Sequence, residues 1–516
     1  MTWRTLLIPL IAAVGLRALV LASGAVSFHS DEAIVGLMAR HINAGEPIPV
    51  FFYGQPYMGS LEPLLVAVAF RFLGESVLTI RLVEAAIYLG IMATTAILAY
   101  RLTGEARIAL FAGLLLAIPP VVLTTYTTLS LGGYGEVLLL GNLLLIGVVE
   151  ARHSAGRLAW IAIGLAAGLG WWTNALIAVY FVPAIAGLAT MPRSSAATTR
   201  FQNVWRMGLA ALGFLIGSAP WWAYNLSYEW EAARFLSGGF QASGVSAPGL
   251  VDKAFGLVIF GLPAVLGVRY PWAQTYWPGL LALVICGLYL VLLILARRQA
   301  GLALLWLMIA GFIAIFVLSG FGIDATGRYL LPLIVPVTIL VAAYLGGQIG
   351  RLAGSLGLIV ILVVNFGGTL NALATNPPGV TPQFDPSTDL PNTDDRAVID
   401  FLKAHDGQYG YATYWVAYRL DFLSGEQITL SPLLPYKYPY TAGGPDRYPL
   451  YTARVQAADR PVLVTANLPD LDTAIGARLA TLGITYERQA IGPFRVYFQL
   501  SRRMTSDDLS GPWPIP

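Results

Sequence analysis

Residues 6–32 read LLIPLIAAVGLRALVLASGAVSFHSDE. Leu6 to Ser23 form an apolar run broken by one charge, Arg17. About 20 such residues, rising 1.5 Å each, cross a hydrocarbon core of roughly 30 Å as a helix. Arg4 precedes the run and no small-residue cleavage pattern follows it. It passes directly into His29, Ser30, Asp31 and Glu32, so a retained first span with two carboxylates at its exit is expected.

The rest of the chain repeats the pattern. Of its 516 residues, 57% are apolar and 11% charged, against about 25% charged in soluble domains. Mean hydropathy is +0.68. Apolar runs recur almost to Asn371, which makes the chain polytopic and excludes a soluble protein. A net charge of +3 is too small to suggest nucleic acid. The only cysteine, Cys286, lies in an apolar run and reads as a core residue, which rules out disulfides and cysteine-metal sites.

Arginine placement orients the spans, because positive loops stay cytoplasmic. With the N-terminus cytoplasmic, span one covers about 4–24 and residues 25–76 form a large outer loop. His29 to Ala44 carries an apolar stripe at Ile34, Val35, Met38 and Ile42 and suits an interfacial helix. Leu61 to Leu73 is too short to span and reads as interfacial or re-entrant. Spans follow at 77–100, 107–123 and 133–151. Two short spans then lie between Leu158 and Thr190 and meet at Trp171, Trp172, Thr173 and Asn174. Further spans fall at 204–224, 276–296, 302–320, 329–349 and 353–371, with Arg152, Arg193, Arg200, Arg206, Arg297 and Arg298 all on one side. The count is about eleven, and an odd count places the C-terminus opposite the N-terminus.

Residues 1–375 are thus expected to be a transmembrane domain and 376–516 an extracytoplasmic α/β domain. In the latter the pattern predicts helices at 394–405, 413–423 and 470–482, and strands near 409–412, 461–465 and 484–499. It has no phosphate-cradling glycine loop, and the chain shows no internal repeat.

Polar residues at membrane boundaries mark the candidate site. Asp31 and Glu32 open the interfacial helix, where they either serve a membrane-embedded substrate or stabilise the helix N-terminus behind Ser30 as cap. Gln55, Tyr57 and Glu62 lie in the aromatic and glycine-rich stretch Val50 to Pro63, which suits either a headgroup pocket or an aromatic belt. A carboxylate opening an apolar segment, as Glu62 does, needs a partner. Arg17, Arg81, Glu84 and Glu136 lie within spans and should face the bundle interior, with Arg81 and Glu84 spaced to pair. Asp324, Arg328 and Tyr329 stand at the mouth of span ten. There the guanidinium either holds a lipid phosphate through two charge-assisted bonds or pairs with Asp324.

The motif at His29 to Glu32, the following helix ending at Asn43, Ala44 and Gly45, and the segment Gly327, Arg328, Tyr329, Leu330, Leu331, Pro332 together resemble the GT-C superfamily of membrane glycosyltransferases. The pattern is most similar to the protein O-mannosyltransferase and aminoarabinose transferase branch, over residues 1 to about 370. Two departures stand out. Gly59, Ser60, Leu61, Glu62 and Pro63 replace the His-Pro-Pro of many members, and Thr173 and Asn174 fall where many carry lysine.

The resemblance implies a sugar donor on a polyprenyl phosphate, a lipid, glycan or protein acceptor, and Asp31 as general base with Glu32 beside it. Arg328 is the cation for the leaving phosphate, and single displacement inverts the anomeric centre. A donor with one phosphate requires no metal cofactor, although Asp31 with Glu32 has the chemistry to hold a divalent ion. The implied setting is a prokaryotic plasma membrane. The competing readings are a lipid or polysaccharide transporter, whose buried charges line a path, and a non-catalytic envelope-assembly protein.

Overall fold

The computed structural model describes residues 1–154, 156–190, 198–238, 249–297, 301–319, 324, 326–375, 380–381, 390–511 and 513. Arg193, Arg298 and Ala325 lie outside them. The chain divides into two compact units. One, the membrane unit, comprises Met1–Ser23, Pro56–Glu62 and Arg81–Thr375. The other, the α/β unit, comprises Gly24–Gln55, Pro63–Ile80 and Asn376–Pro516.

The membrane unit is helical. Among the described residues, five helices of the chain are long and apolar enough to cross a membrane: Trp3–Ala22, Val77–Thr103, Tyr134–Ala151, Arg328–Gln348 and Arg351–Thr375. Shorter apolar helices include Ala106–Ala117, Val204–Gly217, Leu281–Ala296 and Ala303–Leu318. Several expected spans are interrupted for local reasons. The span expected at 107–123 stops at Ala117, because Pro119 and Pro120 cannot continue the backbone ladder, and restarts as Val121–Tyr126. The one expected at 204–224 breaks at Ser218, with Pro220 in the first turn of Ala219–Ser227. Two helices do meet at the expected turn: one ends at Thr173, and Asn174 turns extended and caps the next turn through Leu176 N at 3.0 Å.

Helices Arg157–Thr173 and Thr198–Gly217 touch backbone to backbone. A Cβ on Gly168 would lie 2.2 Å from the Phe214 carbonyl oxygen, and one on Gly213 would lie 2.2 Å from that of Ile161. Small residues four apart on both helices permit this approach, which replaces the hydrophobic drive that lipid cannot supply. Cys286, expected in the core, is half-exposed on Leu281–Ala296. Neighbouring residues such as Leu283 and Val284 are exposed too, a face suited to lipid.

The α/β unit holds a five-stranded sheet, ordered Thr429–Leu434, Tyr409–Thr413, Val462–Ala466, Phe494–Phe498, Glu487–Ile491. The first three strands run parallel, and the last two form an antiparallel hairpin on Val462–Ala466. Every residue of Val462–Ala466 is buried, as its central place requires. Strand Thr429–Leu434 and helix Pro449–Ala457 were not expected from sequence. Pro432 interrupts the apolar alternation there and is tolerated because the strand lies at the sheet edge. Helix Ser30–Asn43 packs against Tyr414–Leu423 within this unit. Asn43 ties it to Leu61–Leu73, donating to Ala67 O at 2.8 Å and accepting from Arg71 Nε at 2.8 Å.

Candidate functional site

Candidate residues occur in both units, and each set is built by its own unit. In the α/β unit, helix Ser30–Asn43 begins with His29, not Ser30, as cap: His29 Nδ1 accepts from Glu32 N at 3.5 Å. Ser30 is turned elsewhere, its hydroxyl donating to Tyr414 O at 2.5 Å. Asp31 is half-buried and Glu32 fully buried in the first turn. The Tyr414 hydroxyl donates to Asp31 Oδ1 at 2.5 Å. Burial, and then the facing Asp31 carboxylate, push that hydroxyl well above the usual tyrosine range. It therefore keeps its proton and stays a donor at every working pH.

Arg447 continues the chain of contacts. Its Nε lies 3.4 Å from the Tyr414 oxygen and its guanidinium 5.8 Å from the ring centroid. Nη1 donates to Gly54 O at 3.1 Å. Gln55, with its amide oxygen turned inward, accepts from Nη1 and Nη2 at 3.1 and 2.6 Å. Gln55 and Asp31, far apart in sequence, thus share a scaffold built by Tyr414 and Arg447. Neither of those two residues was a sequence candidate. The aromatic run Tyr414, Trp415 and Tyr418 on one predicted helix was the only available signal.

Beyond Asp31 the same helix carries Arg40 and His41 into a second polar cluster. Arg40 bonds Glu75 at 2.8 Å and Glu426 at 3.4 Å, and His41 Nε2 lies 3.1 Å from Glu426 Oε1. Tyr451 donates to that oxygen at 2.7 Å. Burial alone would raise Glu426, but hydrogen bonds from His41 and Tyr451, with the charges of His41 and Arg40, bring it down to about 2.

In the membrane unit, Arg328 opens the 3₁₀ turn Arg328–Leu333 behind Gly327, which is left-handed at φ +86°. Its Nη2 pairs with Asp324 Oδ2 at 2.6 Å, so the ion pair open to the sequence reading does form. The Nε has no hydrogen-bond partner among the described residues, and the guanidinium sits 5.0 Å from the Tyr329 ring centroid. A guanidinium held by one carboxylate keeps donors for a second anion.

Tyr329 lines a cavity of about 150 Å³ together with Tyr57, Leu176, Phe312, Ile315 and Phe316. Tyr57 stacks on Phe235 at 4.7 Å with parallel rings. The wall is apolar and Tyr329 joins it to Arg328, an arrangement suited to an amphiphile with an anionic head. Trp221, Trp222, Trp230 and Trp171 form an aromatic cluster elsewhere in the unit, with Trp221 5.7 Å from Trp171 and 4.9 Å from Trp222.

Glu62 is 1% exposed. It accepts from the Ser130 hydroxyl and from the Gly132 and Gly133 amides at 2.9 and 3.3 Å. Both glycines are left-handed, at φ +84° and +79°, which aims successive N–H groups at one carboxylate. Arg17, also buried, donates to Thr124 O at 2.8 Å and to the Thr127 and Thr128 hydroxyls, over the Tyr88 ring. Glu84 and Glu136 lie beside Glu62.

The fold of the chain resembles that of GT-C membrane proteins. Among solved structures the chain is similar to ArnT from Cupriavidus metallidurans in the apo state, with TM-score 0.61 and 14% identity over 97% of this chain and 99% of that one. The same protein bound to undecaprenyl phosphate gives TM-score 0.57 at 14% identity, with the same coverage. The oligosaccharyltransferase AglB from Archaeoglobus fulgidus, in complex with an inhibitory peptide and a dolichol-phosphate, gives 0.52 at 12% identity, covering 96% of this chain and 74% of that one. No family model matches the chain, and no curated protein matches its sequence.

Proposed function

We propose that the chain is a membrane glycosyltransferase that moves a hexosyl or pentosyl group from a polyprenyl-phosphate donor to an acceptor. The observation that carries this reading is the apolar cavity joined through Tyr329 to Arg328, in a fold shared with proteins solved with undecaprenyl phosphate and dolichol-phosphate. An isoprenoid tail needs an apolar wall, and a departing phosphate, which gains charge, needs a fixed cation.

In this reading Asp31 takes the acceptor proton as the acceptor oxygen or nitrogen attacks the anomeric carbon. The bond to the phosphate oxygen breaks as the new glycosidic bond forms, with inversion. Arg328 meets the phosphate charge, while Glu32, Glu62, Gln55, Tyr57, Tyr329 and Asp324 shape the site. Leaving a single phosphate calls for no metal at that step. The accompanying topology is about eleven spans, a cytoplasmic N-terminus, and an extracytoplasmic C-terminal domain at the face where transfer occurs.

The test is transfer from a panel of polyprenyl-phosphate monosaccharides by the purified chain in lipid nanodiscs, reading product and free polyprenyl phosphate for wild type and Asp31→Asn. Loss of a general base is worth about 10²- to 10⁴-fold in rate. Transfer that survives undiminished in Asp31→Asn removes Asp31 from the role. Donor that is carried across the bilayer without cleavage replaces the transferase with a transporter.

A further inference from the structure

Three carboxylates from distant parts of the membrane unit converge out of contact with solvent. Glu62, Glu84 and Glu136 are 1%, 2% and 2% exposed, and each offers an oxygen within 4.8 Å of the others'. A second observation concerns Glu136 alone. Neither of its carboxylate oxygens has a hydrogen-bond partner, and one Glu84 oxygen is likewise without one. Glu62, by contrast, is held from behind by Ser130, Gly132 and Gly133. Its Oε2 takes both glycine amides, whereas Oε1, bonded only by Ser130, keeps a lone pair to offer in front.

An unpaired carboxylate in an apolar bundle costs several kcal/mol, and the geometry limits how this one is satisfied. Glu62 and Glu84 stand close enough to share a proton, but among the described residues no donor reaches either oxygen of Glu136. Oxygens that share one hard divalent ion, with bonds of about 2.1–2.6 Å, stand roughly 3–5 Å apart, and the cluster's oxygens all lie within 4.8 Å of one another. Charge agrees as well. A divalent ion offsets two of the three carboxylate charges, and the buried Arg17 of the same unit carries one more positive charge. All the donors are oxygen, which selects the Mg²⁺, Ca²⁺, Mn²⁺ class over thiophilic metals.

We infer that Glu62, Glu84 and Glu136 bind one hard divalent cation inside the membrane unit. The ion ties the segment Pro56–Glu62 to helices Val77–Thr103 and Tyr134–Ser154. It is a structural ion that shares Glu62 with the proposed transfer site, and its binding is read without any sugar transfer.

Mn²⁺ binding to the full-length chain in nanodiscs, after chelator treatment, tests this by electron paramagnetic resonance, with Ca²⁺ and Mg²⁺ as competitors. Wild type should take up one Mn²⁺ per chain and release it to competing Ca²⁺. Glu84→Gln and Glu136→Gln should bind at least about 10-fold more weakly, and Asp31→Asn should bind like wild type. Melting temperatures keep the test decisive if binding is weak. Added Ca²⁺ or Mn²⁺ should raise that of wild type, whereas the two glutamine variants, relieved of repulsion, should melt at or above chelated wild type and ignore the ion. Failure of wild type to bind, equal binding by the glutamine variants, or loss of binding in Asp31→Asn would each overturn the assignment.

Discussion

The hydroxyl of Tyr414, at the start of a helix in the C-terminal part of the chain, donates to Oδ1 of Asp31, 383 residues earlier. That bond occupies one oxygen of the proposed base and orients the other. A hydrogen bond to a charged group is worth about 1.5–3 kcal/mol. Tyr414→Phe should therefore lower kcat/KM about 10- to 100-fold, mostly in kcat. An unchanged kcat in Tyr414→Phe would reduce Tyr414 to packing.

Arg328 carries a prediction about donor binding. Lysine keeps the charge but loses the planar fork, and glutamine loses both. Binding of polyprenyl phosphate, measured by tryptophan fluorescence or calorimetry, should weaken about 10-fold in Arg328→Lys and about 100-fold in Arg328→Gln. Equal binding by all three would place the phosphate elsewhere.

Glu426 makes part of the stability pH-dependent. Its value falls from 4.5 to about 2 in the folded chain, against the effect of burial, through His41, Tyr451 and Arg40. The contribution is therefore complete above pH about 4.5 and disappears as pH falls toward about 2. Glu426→Gln should cost roughly 1.5–3 kcal/mol at pH 7. Denaturation curves of variant and wild type should converge as pH is lowered through that window.

Gly133 tests the carboxylate cradle. At φ +79°, a side chain costs about 1–2 kcal/mol, and a Cβ would lie 3.0 Å from the Thr173 methyl. Gly133→Ala should lower the melting temperature by a few degrees, an effect that Gly208→Ala on an exposed helix face, where a Cβ meets nothing within 4 Å, should not share.

Much of the architecture was legible in the chain. Runs such as Leu6 to Ser23 announce helices because lipid offers backbone groups no partner, and the turn at Asn174 was visible because the apolar pattern stops there. The breaks at Pro119 and Ser218 were legible only in part. A hydropathy window averages over a proline, while the backbone ladder does not. That Glu84 comes within reach of Glu62 and Glu136 was not legible, since side-chain neighbours depend on how separate helices pack as much as on the helix itself.

Sequence alone determined that this protein lives in a membrane, that its C-terminal quarter is a mixed α/β module, and that Asp31, Glu62 and Arg328 stand where charge is costly. Those properties follow from local composition and periodicity, which each segment carries by itself. Tertiary structure alone decided that Tyr414 and Arg447 serve Asp31 and Gln55, that Gly132 and Gly133 cradle Glu62, and that three glutamates from separate segments meet. Hydrogen bonds and charge clusters of this kind join residues separated by tens to hundreds of positions, and no local pattern encodes which of many polar groups will face one another once the helices pack.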